Sequence, residues 1–154
     1  HKGEIVAGVV YDPAKDEMFY AEKGAGCWLN DSKRLRVSGR TKMIESVFAT
    51  GVPFGGRKYL PATLQDLARL MPACAGVRRW RSAALDLAYV AAGRLDAFWE
   101  FGLSAWDTAA GAVIVREAGG VFTDLDGRAP GLATTSVLAA APGLHGLLLD
   151  ELGA

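Results

Sequence analysis

Short apolar runs and longer helical patterns alternate along the second half of the chain. Leu95, Ala97 and Trp99 occupy every second position, which predicts a strand over 95–100. Leucines recur at three- and four-residue steps from residue 60, which predicts a helix closed by Pro72. The same criteria predict strands at 46–50, 77–80, 121–123 and 136–140, and helices between Ser82 and Gly93, at 105–118 and at 144–152. This alternation predicts a layered α/β sheet.

The first part of the chain has a different pattern. Residues 5–11 and 17–22 form two predicted strands around the turn chemistry of residues 12–16, which indicates an antiparallel hairpin. A short extended piece follows at 27–29. Residues 31–42 are polar, and we expect them to form a surface connection with one short strand near Leu35.

Composition narrows the class of protein. The 154 residues suit one domain with a real core. Lys and Arg together number 17, and so do Asp and Glu, so the net charge is zero. A zero net charge argues against a general electrostatic nucleic-acid binder. Cys27 and Cys74 lack metal-site spacing, which favours idle thiols in a reducing, cytoplasmic compartment. No apolar run reaches the length of a membrane span.

The start of the predicted 105–118 helix carries the candidate chemistry. Ser104 can cap this helix, and the Gly119-Gly120 pair can end it. The free N–H groups of a helix start attract anions, and a carboxylate such as Asp107 could hold a divalent cation that grips a phosphate. The alternative is a capping box in which Asp107 only reaches back to the Ser104 N–H. The local pattern by itself favours the cap.

A resemblance to a known family changes that balance. The run Trp106-Asp107-x-Ala109-Ala110-Gly111, followed by Glu117-Ala118-Gly119-Gly120, resembles the C-terminal signature of the inositol monophosphatase family. This family comprises magnesium-dependent, lithium-sensitive phosphomonoesterases. The resemblance extends in order over nearly the whole chain, through the segments 8–13, 21–26, 49–54, 82–88 and 93–97.

The resemblance implies a fold and a domain organisation. The expected fold is a layered α/β sandwich of the inositol monophosphatase/sugar phosphatase type. Residues 1–154 would form a single domain, the C-terminal portion of such an enzyme. Residues 1–45, with the N-terminal hairpin, would end the first sheet, and residues 46–154 would form the α/β sheet that carries the Trp-Asp signature.

One part of the family pattern is absent from the chain. The family's metal site also uses a glutamate and an Asp-Pro-(Ile/Leu)-Asp-Gly-(Thr/Ser) segment, both before the hairpin. Asp12-Pro13 is followed by Ala14-Lys15, and the run 124–127 lacks the proline, so neither supplies that motif. We therefore expect the chain to be part of a longer enzyme, to carry only part of the active site, and to be inactive alone.

The resemblance assigns site residues within this chain. Asp107 would be a metal ligand for Mg²⁺, of which the complete enzyme would hold two or more ions, and would also lie against the substrate. Glu100 would bind hydroxyl groups of the substrate alcohol, and Ser82 and Ala83 would lie beside the substrate. The plainer alternatives are a solvated strand end for Glu100 and a simple helix N-cap for Ser82.

Several other residues have plainer interpretations. Arg81 departs from the family, which usually has glycine before Ser82, and this cation could narrow the pocket or contact a phosphate or carboxylate. It ends the basic run 78–81, for which a solvated edge or subunit contact is favoured over nucleic-acid binding. Gly51, in the loop after a strand, is expected to be a plain turn residue, with a close approach to the substrate as the alternative. Asp86 and Asp96 are expected to be solvated or structural charges.

Two functions follow as hypotheses from these features. The first is a magnesium-dependent phosphomonoesterase acting on a small phosphorylated polyol such as myo-inositol monophosphate, in a cytoplasmic homodimer with no membrane or nucleic-acid partner. Relatives with the same signature act on other small phosphate esters, so the substrate stays open. The alternative is a non-catalytic fragment or interaction module that binds protein or RNA partners.

Overall fold

The fold is a stack of four layers: a sheet, a helix pair, a second sheet and a second helix pair. The computed structural model describes residues 1–52 and 57–153. Helices α2 (Ala83–Ala91) and α3 (Ala105–Glu117) pack against each other and lie between the sheets. Helices α1 (Leu60–Ala73) and α4 (Pro142–Gly153) pack together on the outer face of the second sheet. The layered α/β architecture expected from the sequence is confirmed.

The first sheet is antiparallel and contains the expected hairpin. Its four strands follow the chain in the order β1 to β4, and every neighbouring pair is antiparallel. Phe19 and Cys27 are fully buried and face the helix pair. The strands are β1 (Ala7–Asp12), β2 (Glu17–Glu22), β3 (Gly26–Leu29) and β4 (Lys33–Arg34).

The second sheet is mixed and has the order β6-β5-β7-β9-β8. Strands β6, β5 and β7 are parallel, whereas β9 runs antiparallel to both β7 and β8. The carboxyl ends of the three parallel strands therefore meet at one edge of the sheet. The strands are β5 (Val47–Thr50), β6 (Gly76–Arg78), β7 (Ala97–Phe101), β8 (Val121–Thr123) and β9 (Ser136–Ala140).

The two faces of the second sheet serve different cores. Phe98 points into the core with α2 and α3, while its neighbours Ala97 and Trp99 point to the core with α1 and α4. The predicted alternation of residues 95–100 is therefore real, but both faces are buried. This explains why Phe98 stands where a half-exposed strand would have a polar residue.

Glycines allow the central helices to approach their neighbours closely. A Cβ on Gly111 of α3 would lie 2.7 Å from Leu87 Cβ on α2. A Cβ on Gly8 of β1 would lie 2.8 Å from Ala110 Cα. The small residues of the 109–111 run thus set how closely α3 approaches both α2 and the first sheet, which fixes the position of the helix start.

Substituting Gly111 by alanine should destabilise the full-length protein by about 1–3 kcal/mol, because the added methyl group forces α2 and α3 apart. Urea denaturation measures this change. Gly146→Ala is the matched control, since Gly146 is also helical but has nothing within 4 Å of an added Cβ. That control should be stabilised by up to about 1 kcal/mol through helix propensity alone. Equal changes in the free energy of unfolding at Gly111 and Gly146 would show that the contact between α2 and α3 has room for the added methyl group.

Two sequence expectations need correction at the level of single elements. Helix α1 does not close at Pro72 but continues to Ala73. Pro72 lies in the last turn, where its missing N–H removes only one intrahelical hydrogen bond. The strand expected over 95–100 is observed as β7 at Ala97–Phe101.

Within the described ranges, no helix is both long and apolar enough to cross a membrane.

Candidate active site

A cavity of about 510 Å³ opens at the carboxyl ends of the parallel strands β5, β6 and β7. In open α/β sheets this edge is the usual ligand-binding position, because loops and helix starts converge there. The residues around the cavity come from the ends of these strands, from the residues before α1, and from the first turns of α2 and α3. They are Gly51, Val52, Lys58, Tyr59, Arg79, Arg81, Ala83, Glu100, Phe101, Gly102, Leu103 and Asp107.

Asp107 both caps α3 and faces this cavity. Its Oδ2 accepts a hydrogen bond from the backbone N–H of Ser104 at 2.9 Å, which is one half of a capping box. Asp107 also contributes to the cavity wall. The two interpretations of this residue are therefore compatible, because one carboxylate oxygen serves the helix and the other is available to a ligand.

Glu100 lies on β7, on the same face of the strand as Phe98, and is partly buried. Burial, and to a smaller extent the negative charge of Asp107, raise the pKa of Glu100 to about 7, while the Arg79 guanidinium acts in the opposite direction. Glu100 and Asp107 line the same cavity, so the two carboxylates belong to one site. Because Glu100 is partly buried in the cavity wall, a fully solvated strand end does not describe it.

Gly51 leaves room for the Glu100 carboxylate because it has no side chain. It follows β5 directly and is buried, and a Cβ built on it would overlap the Glu100 carboxylate. The expectation of a plain turn is wrong, because the close approach of the neighbouring strand end requires glycine here. Sequence pattern gives no signal of this contact, since β5 and β7 are far apart along the chain.

Replacing Gly51 by alanine should displace the Glu100 carboxylate and lower kcat/KM of the full-length protein by at least about tenfold, because misplaced binding groups lose transition-state contacts. If the full-length protein acts on a phosphorylated polyol, as the family resemblance implies, steady-state kinetics with an inositol monophosphate measure this. Gly131→Ala is the control, since an added Cβ there meets nothing within 4 Å. Unchanged kinetics in Gly51→Ala would mean that Glu100 does not need its observed position.

Ser82 and Ala83 are consecutive residues at the start of α2, but they line different depressions of the surface. Ser82 is the N-cap, and its Oγ accepts a hydrogen bond from the Leu85 N–H at 3.4 Å. It borders a neighbouring depression together with Trp80 and Tyr89. Ala83 lines the main cavity with Glu100 and Asp107. The structure thus brings three of the four expected site residues together and places the Ser82 side chain next to them, in its capping role.

Asp96 and Asp86 are both buried, so neither is a solvated charge, and the structural alternative holds for Asp96. Asp96 accepts hydrogen bonds from Ser38 Oγ at 2.5 Å and from the Val47 N–H at 2.7 Å. These contacts connect the residue before β7 to the start of β5 and to the segment that precedes it. Asp96 therefore has no direct part in the cavity.

Asp86 is a different case and was missed as a site candidate. It is 1% exposed, and its Oδ1 has no hydrogen-bond partner among the described residues. Burial, together with the negative charge of Glu100, raises the pKa of Asp86 to about 7. A signal existed in the sequence: α2 is apolar on all sides apart from this one charge, and such a helix is buried, so its carboxylate is buried with it.

The cavity contains carboxylates, which are the type of ligand that magnesium prefers, but its described lining includes just two of them, Glu100 and Asp107. Mg²⁺ prefers carboxylate oxygens and keeps several waters. Asp107 has an oxygen available beside the cavity, and its negative charge adds to the effect of burial in raising the pKa of Glu100, an effect that a cation would offset. Over residues 1–52 and 57–153, no group of three or more His, Cys, Asp or Glu side chains could hold a metal ion.

The layers and the cavity at the carboxyl ends of the parallel strands define an α/β sandwich with a ligand-binding cleft at one edge of its second sheet. A sequence profile of the Inositol monophosphatase family matches residues 1–153. The chain therefore belongs to the inositol monophosphatase family.

Individual relatives agree with this assignment. An inositol-1-monophosphatase of Mesorhizobium japonicum is 53% identical over 138 residues, which cover 90% of this chain and 52% of the relative. The Nus factor SuhB of Pasteurella multocida is 44% identical over 151 residues, covering 98% and 56%. The crystal structure of the extragenic suppressor protein suhB from Bartonella henselae superimposes with a TM-score of 0.93 at 44% identity, covering 98% and 58%. The chain thus spans about half the length of the relatives it matches.

Proposed function

We propose that the protein containing these residues is a magnesium-dependent phosphomonoesterase that hydrolyses a small phosphorylated polyol such as myo-inositol monophosphate. One observation carries this proposal: Asp107 and Glu100 are electrostatically coupled and line the same cavity at the carboxyl ends of parallel strands. The inositol-1-monophosphatase name of a relative 53% identical to the chain supports the substrate class.

Each of the cavity residues has a distinct task in this proposal. Bound magnesium would neutralise phosphoryl charge and activate water at neutral pH. Asp107 would hold the cation with its available carboxylate oxygen, while its other oxygen keeps the helix start in place. Glu100 would accept hydrogen bonds from polyol hydroxyls and so orient the alcohol. Ala83, at the start of α2, would allow the substrate to approach the backbone closely.

The direct test is an assay of the full-length protein. Phosphate release from an inositol monophosphate should require magnesium, disappear with a chelator and return when magnesium is added back. Lithium should inhibit the reaction. Full activity in the presence of excess chelator would contradict the metal dependence, and no phosphate release under any condition would contradict the proposed reaction.

The 154-residue chain by itself should not release phosphate from inositol monophosphate and should bind magnesium no more tightly than millimolar. A two-metal site needs several ligands held rigidly, and the described residues supply Asp107 and Glu100. Calorimetric titration and a phosphate-release assay measure both properties, with circular dichroism as the control for folding. Micromolar affinity in a folded chain would show that other residues complete the site.

The first sheet has surface that this chain leaves uncovered. Strand β1 is at the sheet edge, and Val9 and Tyr11 on it are 59% and 53% exposed. An exposed edge strand with apolar side chains favours association. We therefore expect the isolated chain to self-associate. We also propose that the full-length protein is a homodimer. Sedimentation of the isolated chain and of the full-length protein tests the two expectations.

A second candidate function is binding of a protein or RNA partner. One of the relatives, 44% identical, is named a Nus factor. In this chain Trp80 is 49% exposed and lies between Arg79 and Arg81, a combination that suits single-stranded nucleic acid. If binding is a separate function, Trp80→Ala should weaken capture of a single-stranded RNA in a mobility-shift assay, while Asp107→Asn leaves it unchanged. The zero net charge of the chain favours the phosphatase.

A further inference from the structure

The cavity of the candidate active site has a polar side and an aromatic side. Its carboxylates, Glu100 and Asp107, lie with Ala83 toward the central pair of helices. On the other side, Tyr59 lies directly before α1, and Phe101 shares the face of β7 with Trp99, which packs toward α1 and α4. A ligand in the cavity would therefore meet carboxylates on one side and aromatic rings on the other.

Tyr59 and Phe101 form an extended aromatic wall. Their rings are nearly parallel, with an interplanar angle of 8° and centroids 5.8 Å apart. Rings that covered each other completely would have centroids about 3.5–4.0 Å apart, so this pair is offset and each ring leaves part of its face uncovered. Both residues are half-buried and line the cavity. The pair therefore presents aromatic surface to a ligand.

Several contacts hold the Tyr59 side chain in this orientation. Hydrogen bonds with Lys58 and Thr135 lower the pKa of the Tyr59 hydroxyl. The Tyr59 carbonyl oxygen accepts a hydrogen bond from Thr63 Oγ1 at 2.9 Å. Gly102 leaves room for the ring, since an added Cβ there would lie 3.0 Å from Tyr59 Cδ2. The hydroxyl is thus engaged within the protein, and a ring that is already fixed loses little rotamer freedom when a ligand binds.

The two sides of the cavity match the two kinds of surface on a cyclic polyol. A ring such as inositol carries most of its hydroxyl groups around its rim and C–H bonds on its faces. Glu100 can accept hydrogen bonds from the rim, while an aromatic ring can pack on a C–H face. An open-chain polyol has no such flat face and must lose chain rotations to lie along the wall.

We propose that Tyr59, supported by Phe101, is a specificity-determining residue that binds the C–H face of the alcohol and makes the enzyme prefer cyclic to open-chain polyol phosphates. Glu100 would bind hydroxyl groups of either alcohol, so the aromatic side of the cavity is what distinguishes them. This role rests on the proposed phosphatase function and adds to it the residue that selects the shape of the alcohol.

The preference is tested in the full-length protein with myo-inositol monophosphate and glucitol phosphate. These two esters have the same numbers of carbon atoms and hydroxyl groups and differ in ring closure. The ratio of kcat/KM for the cyclic ester to that for the open-chain ester measures the preference, and it cancels effects on the shared phosphate chemistry. Wild type should prefer the cyclic ester.

Two substitutions separate the ring of Tyr59 from its hydroxyl. Tyr59→Phe keeps the ring and its stacking, so the ratio should stay within about twofold of wild type. Tyr59→Leu replaces the ring by an aliphatic side chain, and the ratio should fall by about three- to tenfold, mainly through KM of the cyclic ester. Tyr11→Leu is the matched control and should keep the wild-type ratio, since Tyr11 is exposed on the first sheet, outside the cavity lining.

Turnover of glucitol phosphate by Tyr59→Leu shows that this variant is folded, and Tyr59→Met is a second aliphatic variant with the same expected loss. No preference in wild type, or an unchanged ratio in both aliphatic variants, would overturn this role and leave the proposed function intact. Equal losses in the Phe and Leu variants would also overturn it, because the hydroxyl would then be what selects. No turnover of either ester by wild type would contradict the phosphatase function, and this role with it.

Discussion

Replacing Asp107 by asparagine should lower kcat of the full-length protein by two or more orders of magnitude while changing its stability by less than about 1 kcal/mol. Asparagine keeps the size of the side chain and an oxygen that can accept from the Ser104 N–H, so the helix start is preserved. The lost charge is the one that would hold the cation, and removal of a key electrostatic contact costs about 10²–10³ in rate.

Steady-state phosphate release across a magnesium titration measures this effect. Asp150→Asn is the matched control, because Asp150 is an exposed carboxylate on α4, outside the cavity. The Asp107 variant should need more magnesium than the control to reach half of its maximal rate. Wild-type rates for Asp107→Asn at saturating magnesium would reject the metal-ligand role and leave Asp107 as a helix cap.

Replacing Asp86 by asparagine should remove a pH dependence from the stability of the protein. The folded-state pKa of Asp86 is raised from 3.8 to about 7 by burial and by the charge of Glu100. Its stabilising contribution is therefore complete below about pH 4 and is lost as the pH rises to about 7, because the folded state must then bury an unpaired charge. Between pH 5 and pH 8 the loss from this group is on the order of 2–3 kcal/mol, and the pH dependence of Asp86→Asn should be smaller than that of wild type by about this amount. Glu100, whose pKa is also raised, contributes in the same direction in both proteins.

Urea denaturation of the metal-free, full-length protein at pH 5 and pH 8 tests this. The measured quantity is the change in the free energy of unfolding between the two pH values, compared between wild type and variant. This difference cancels Asp12 and Glu17, whose pKa values are lowered through contacts with Lys15 and Arg94 and which act in the opposite direction. Asp126→Asn, in an exposed turn, should behave like wild type. A parallel pH dependence in Asp86→Asn would assign the effect to another group.

The sequence predicted the elements of the fold well because periodicity is a local property. The strand and helix around the Trp-Asp signature appear within one or two residues of their predicted bounds, as β7 and α3. The hairpin of β1 and β2 was equally visible, since turn chemistry separates two apolar runs. Which strands are neighbours, and that β9 is antiparallel in a mixed sheet, depended on tertiary contacts that no local pattern encodes.

The candidate site was predictable mainly through the family resemblance. The local pattern marked Asp107 at a helix start and Glu100 at a strand end, but only the resemblance favoured a site role for either residue. Gly51 could not be found, because its role is to leave space for a residue 49 positions away. The positive φ of Arg81 is likewise a property of the folded backbone, although the unusual residue before Ser82 was visible in the chain.

Helix α3 is fastened at both ends. At its start Asp107 accepts from Ser104, and at its end the two oxygens of Glu117 accept from the Gly24 and Gly26 N–H groups, each at 2.9 Å. About 15 Å of rigid helix separates Asp107 from Glu117. Glu117 therefore attaches the C-terminal end of the helix to the turn between β2 and β3. A substitution in that turn should therefore change the orientation of α3 and move Asp107. If Asp107 holds a cation as proposed, such a substitution would change the metal affinity although it lies about 15 Å from the site.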